Sequence, residues 1–314
     1  MADAFRRCAA QAVRRRALKR RGSSDIKSRF RLLADLGLAA GLLGIAPLAK
    51  KAALATGVAP LPLAAVTTAL AAGFGIGWYL LARSTAAAAR PGPRTLGRVA
   101  LVGALGSGLV VLLAIIAMTE TTATNRALFQ SMYPVATAIL ARVLLGERLA
   151  RTSYAIIAGM TVGLFLMNSG QGGVVLGTPF LLLAATLPMI GLADVYAKRS
   201  LADTDPLFVA VGRLVAGSLV IWLVLPFTGG GPVFADTAAW PWMLVAGFAM
   251  AGGLFGLYRA MDSAGASRAA AFAGLAPVVT ALAEWLVLDA RFSPVQLTGL
   301  VFVIAGAVVL AYRL

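Results

Sequence analysis

Two carboxylates, Glu284 and Asp194, lie inside long apolar runs of this chain. An ionised side chain at the centre of a bilayer costs about 2.5 to 3.5 kcal/mol on insertion scales, so each needs a partner or a wet cavity. A carboxylate held there can take up and release a proton or gate a passage, and both residues are candidates for gating or coupling. The alternatives are an interfacial depth or simple neutralisation of a nearby base. A second candidate is a stripe. Gln130, Pro134, Thr137 and Ala141 recur at i, i+4, i+7 and i+11 and share one helical face, and Ala273, Pro277, Thr280 and Glu284 repeat that spacing later in the chain. An amide, a hydroxyl and a carbonyl freed by proline can contact a small polar molecule; the other reading of each proline is a bend in its helix. Phe129, Tyr133, Tyr258, Phe272 and Trp285 supply either an aromatic pocket wall or interfacial packing. Arg213, about 10 Å into its run at helical rise and within snorkelling reach of the cytoplasmic interface, reads as structural.

Other chemistries are poorly served. The chain has no histidine, which removes His-based triads, His metal sites and His proton relays. The single cysteine, Cys8, lies in a basic tail, and there is no GxSxG elbow, so an intramembrane enzyme is disfavoured. No residue pattern calls for a cofactor or a metal. The run from Gly73 to Gly77 sits in the middle of an apolar segment with no flanking strand, which favours helix packing over a nucleotide loop. Arg14, Arg15, Arg16, Lys19, Arg20 and Arg21 could hold nucleic acid, but they are accompanied by only two aromatics, Phe5 and Phe30, and retention of a cytoplasmic tail explains them better.

The elements that must position these residues are membrane helices. Hydrophobic residues make up 60% of the 314-residue chain and charged residues only 13%, far from the roughly 25% charged of a soluble domain. Apolar runs of about 20 residues span a bilayer as helices. Their cores are expected at 32–49, 60–82, 97–118, 124–145, 152–168, 175–197, 207–227, 241–261, 267–288 and 294–312. The fold class is therefore an all-α membrane protein with ten transmembrane helices. With residues 1–31 inside, 23 of the 28 Lys/Arg fall on the cytoplasmic side and 4 on the other, Arg213 lying within a span. That imbalance places both termini in the cytoplasm.

The ten spans divide into two. At an offset of 143 positions, residues 123–163 overlay residues 266–306 without a gap, with 10 identities in 41. Pro134 meets Pro277, Thr137 meets Thr280 and Phe129 meets Phe272. An odd number of spans per copy inverts the second copy relative to the first, as in transporters that rock one half against the other.

The stretch ATNRALFQSMYPVATAILARVLLGERL, residues 123–149, resembles the fourth span and following loop of an EamA domain, the repeat unit of the drug/metabolite transporter superfamily. The second copy keeps the proline-centred half and has Asp289-Ala290-Arg291 where the first has Gly146-Glu147-Arg148. The charge distribution sets residues 1–31 apart as a basic tail, and the resemblance implies two EamA-like repeats at 32–170 and 171–314 with a cavity between them. It also implies a permease moving a small organic metabolite across the inner membrane, proton-coupled efflux being one form. The expected substrate-binding residues are Gln130, Tyr133, Pro134, Thr137, Tyr258, Phe272, Pro277 and Thr280, with Glu284 and Asp194 for gating or coupling. The expected partners are a small-molecule metabolite and the lipid bilayer; a homodimer is left open. A membrane scaffold or receptor is the rival reading, disfavoured because it has little reason to bury Gln130 and Glu284.

Overall fold

The computed structural model describes residues 30–82, 91–118, 123–146, 150–168, 177–228, 237–288 and 293–312. These residues are helical apart from short turns, and no strand occurs among them. The helices are α1 (Phe30–Ala55), α2 (Pro60–Ala82), α3 (Pro93–Gly103), α4 (Val110–Met118), α5 (Ala123–Leu145), α6 (Arg151–Asn168), α7 (Thr178–Leu201), α8 (Pro206–Val224), α9 (Trp240–Ala264), α10 (Ala266–Ala273), α11 (Ala276–Leu288) and α12 (Pro294–Tyr312). The basic tail up to residue 29 and the loops bearing Glu147, Arg148, Asp289 and Arg291 lie outside the described residues.

Local chemistry sets the boundaries. Pro60, Pro93, Pro206 and Pro294 open their helices, where a missing N–H costs nothing and φ is already helical. Asp205 caps α8 by accepting a hydrogen bond from Leu207 N at 2.7 Å. Ser293 and Gln296 cap α12 reciprocally: Ser293 N donates to Gln296 Oε1 at 2.8 Å and Gln296 N to Ser293 Oγ at 3.3 Å. Gly265, at φ 92°, turns the chain directly from α9 into α10 in a conformation that side chains resist.

Among the described residues, six helical segments are long and apolar enough to cross a membrane: Phe30–Ala55, Pro60–Leu81, Pro93–Ala114, Thr178–Leu201, Pro206–Thr228 and Thr237–Ala264. They make this a multi-pass membrane protein. The exposed face is lipid-like, with Leu81, Val143, Leu223 and Leu286 all open, while the interior is rich in alanine and glycine. Lipid supplies no hydrophobic drive between helices, so small residues that admit close backbones take its place. α6 packs along α12, α5 along α7, and α2 against α8 and α9.

Two expected spans are not regular α-helices. In the third, Ala104–Leu109 forms a π-helix between α3 and α4, with Val110 N bonded to Leu105 O. The ninth is broken at Gly274 and Leu275 into α10 and α11. Proline lacks the N–H that would reach four residues back and crowds that carbonyl, so Pro277 favours a break beside Ala273. Pro134, its counterpart, stays inside an unbroken α5. The neighbouring residue differs: Gly274 stands where α5 has Ser131. A Cβ on Gly274 would lie 3.3 Å from Pro134 Cγ and 2.9 Å from Ala271 O, so the glycine at the break also admits the proline ring of α5.

Candidate functional site

Five segments meet at one buried polar cluster. Asp194 on α7 and Arg213 on α8 are 1% and 7% exposed, Tyr258 on α9 and Thr137 on α5 are fully buried, and Ser107 of the π-helix is 1% exposed. The guanidinium of Arg213 donates from Nε to Ser107 Oγ (3.0 Å), from Nη1 to Tyr258 Oη (2.6 Å) and from Nη2 to the Gly106 carbonyl (3.2 Å). Thr137 Oγ1 donates to Asp194 Oδ2 at 3.1 Å. The two charges face each other with Arg213 Nη1 3.6 Å from Asp194 Oδ1. That is an ion pair without a hydrogen bond, since a donor at that distance is too far to make one. Arg213 thus makes its hydrogen bonds to neutral oxygens, while Asp194 accepts one from the Thr137 hydroxyl.

Glycine makes the approach possible. A Cβ on Gly106 would fall 2.7 Å from Arg213 Nη2 and 2.9 Å from Ala193 Cβ, and one on Gly103 would fall 2.6 Å from the Arg213 carbonyl oxygen. α8 answers with Gly217, whose added Cβ would meet Ser107 Cβ at 2.4 Å. The π-helix widens the turn that presents Gly106 and Ser107, a distortion that recurs at functional sites.

The structure brings together Thr137, Asp194 and Tyr258 among the residues singled out from sequence. Tyr133 is half-buried and packs against the main apolar core. Pro134 is buried against Gly274, and Phe272 lies in the main apolar core. Thr280 does not join the cluster: its hydroxyl donates to Gly44 O of α1 at 2.6 Å and to Ala276 O at 3.0 Å. A Cβ on Gly44 would lie 2.6 Å from Ala276 O, so Thr280 sits at a tight helix crossing and its hydroxyl is spent on backbone there. The side chains of Gln130, Phe129, Pro277, Glu284 and Trp285 lie outside the described residues.

Arg213 corrects the sequence reading. Its head does not snorkel to an interface but turns inward, where a carboxylate and three neutral acceptors hold it. Arginine does not deprotonate in a protein, so a buried one must collect acceptors, and Asp194 on a neighbouring span was the signal available. Ser107 and Gly106 had no comparable signal, because a serine among glycines in an apolar run is ordinary packing.

Against known proteins, the sequence matches the EamA-like transporter family over residues 34–169 and again over 176–312. No curated protein matches it. A solved structure, described only as the crystal structure of a protein, is similar with a TM-score of 0.75 at 19% identity, covering 91% of this chain and 100% of the other. At that identity the likeness shows the fold alone.

Proposed function

We propose, from the premise that this chain belongs to the EamA-like transporter family, that it is a secondary transporter moving a small organic metabolite through the inner membrane by alternating access. The observation that carries this reading is the Asp194–Arg213 pair, buried where five segments converge. A membrane-embedded ion pair of this kind normally marks a substrate or ion pathway. The two repeats, 32–170 and 171–314, comprise five spans each in opposite orientation and move against one another. Asp194 is the coupling carboxylate, and proton coupling follows if it exchanges its proton during the cycle. Tyr133, Thr137 and Tyr258 face the substrate together with Gln130 and Pro134. Phe272, Pro277 and Thr280 set the position of the broken ninth span against them, and Glu284 gates the opposite end.

The deciding experiment is transport by purified protein in vesicles, offered a panel of small metabolites with and without a pH gradient. At least one should accumulate or leave faster than in protein-free vesicles. Glu284→Gln should slow that flux or flatten its pH response while leaving expression intact; a wild-type rate and pH response would reduce Glu284 to a structural residue.

Both termini are cytoplasmic in this reading, because the end of the bundle that carries Arg98, Lys198, Arg199 and Arg259 then faces inside, as positive charge does. A periplasm-active reporter fused to the C-terminus is expected to give no activity. Strong activity there would overturn the orientation.

A further inference from the structure

The end of α7 holds three other helices, two of them by their last turns. Lys198 Nζ donates to the carbonyls of Met261 (2.6 Å) and Asp262 (3.0 Å) in the closing turns of α9. The next residue, Arg199, donates from Nη2 to Leu144 O in the last turn of α5 at 2.7 Å. Asp203, in the turn after α7, pairs with Arg98 of α3 at 3.0 Å. The last carbonyls of a helix have no partner within it and carry its negative pole, so a cation there is well placed. α1 joins through α9, where Arg259 pairs with Asp35 at 3.2 Å. At that crossing a Cβ on Gly256 would lie 2.7 Å from the Asp35 carbonyl oxygen and 3.0 Å from Ala39 N, so the seam is shut.

We infer that residues 198–203 form the latch that closes this end of the transport path, holding α3, α5 and α9 together until the central pair separates. The inference rests on the transporter reading above and adds its gate. Three features of the geometry support it. Each tethered helix leads to the central cluster: α5 carries Thr137, α9 carries Tyr258, and α3 runs into the π-helix. The lever is short, since Asp194 and Lys198 are one turn apart on the same face of α7, and Tyr258 stands three and four residues before the carbonyls that Lys198 holds. A helix moved at Asp194 therefore moves at Lys198 as a rigid body. The bonds are also of the right kind. Arg98 and Asp203 are 37% and 52% exposed, so water can replace each partner, and such contacts open at little cost.

The test uses Ser200→Cys, a near-isosteric change at a fully buried position within the latch, in a Cys8→Ser background. Purified protein is reacted with a water-soluble maleimide. Labelling should be slow in this parent and roughly tenfold faster when Lys198→Gln and Asp203→Asn are added. Lys198→Arg, which keeps the cation, should leave it slow. A second reporter, Ala246→Cys, is also fully buried but lies toward the other end of α9, and its labelling should not rise. Unchanged labelling of Ser200→Cys in the latch variants overturns the inference. So does a parallel rise at both reporters, which would mean general loosening. The assay needs no substrate, so a protein that labels as expected yet transports nothing in vesicles sinks the transporter reading and not the latch.

Discussion

Replacing either partner of the central pair alone, as Arg213→Met or Asp194→Asn, should destabilise the protein by about 3–5 kcal/mol, and the double variant should recover most of that loss. The reason is asymmetric. Asp194→Asn leaves a guanidinium that cannot shed its charge, buried among the neutral oxygens of Ser107, Tyr258 and Gly106. Arg213→Met leaves a carboxylate with Thr137 as its hydrogen-bond donor among the described residues. Removing both charges leaves neither problem, only imperfect packing. In thermal unfolding of detergent-solubilised protein, each single change should lower Tm by roughly 5–15 °C, and the double should lie close to wild type. Transport should behave differently. A pair that only glues helices together would return with stability in the double variant, whereas a pair that works in the cycle would not. The expected result is a double variant that is stable and inactive; recovery of transport along with Tm would make the pair structural.

The sequence exposed the helical architecture because the signal is physical and dense: twenty-residue apolar runs, punctuated by proline, glycine and charge, have little else to become in a bilayer. It exposed Asp194 for the same reason, since a carboxylate in such a run is costly. Arg213 was equally visible but its direction was not, because a long side chain some 10 Å from an interface can reach outward or inward and only the neighbouring span decides. Thr137 and Thr280 occupy equivalent positions of the repeat, yet the structure gives them different partners. Identical residues at equivalent positions of two copies meet different neighbours once the second copy breaks at Gly274, and Thr280 ends on the α1 backbone. The π-helix was illegible, because no local propensity marks it; it lies where α8 and its arginine pass close to the glycines at 103, 106 and 108. For Gln130 and Glu284 the sequence argument still stands alone, since their side chains lie outside the described residues.

Those glycines give the last prediction, which separates tight packing that serves the site from tight packing that serves only the fold. Gly217→Ala would place a methyl group 2.4 Å from Ser107 Cβ, 2.8 Å from Ser107 C and 3.0 Å from Gly103 O. Two of those atoms are backbone, so no rotamer change relieves them, and α8 must move away from the π-helix. Overpacking of this kind costs about 1–3 kcal/mol. Gly163→Ala is matched to it: the added Cβ would lie 2.7 Å from Gly299 O and 2.7 Å from Phe302 Cβ, where α6 packs along α12. Both variants should therefore lose comparable stability in thermal unfolding. Only Gly217→Ala displaces the segment that presents Ser107 and Gly106 to Arg213, one turn along α8. Measured per folded molecule in vesicles, its transport should fall by about tenfold, the equivalent of 1.4 kcal/mol in the working geometry, while Gly163→Ala should transport at close to the wild-type rate. Equal transport losses in the two would mean that any strain in the bundle stops the cycle. The position of Arg213 would then carry no special weight.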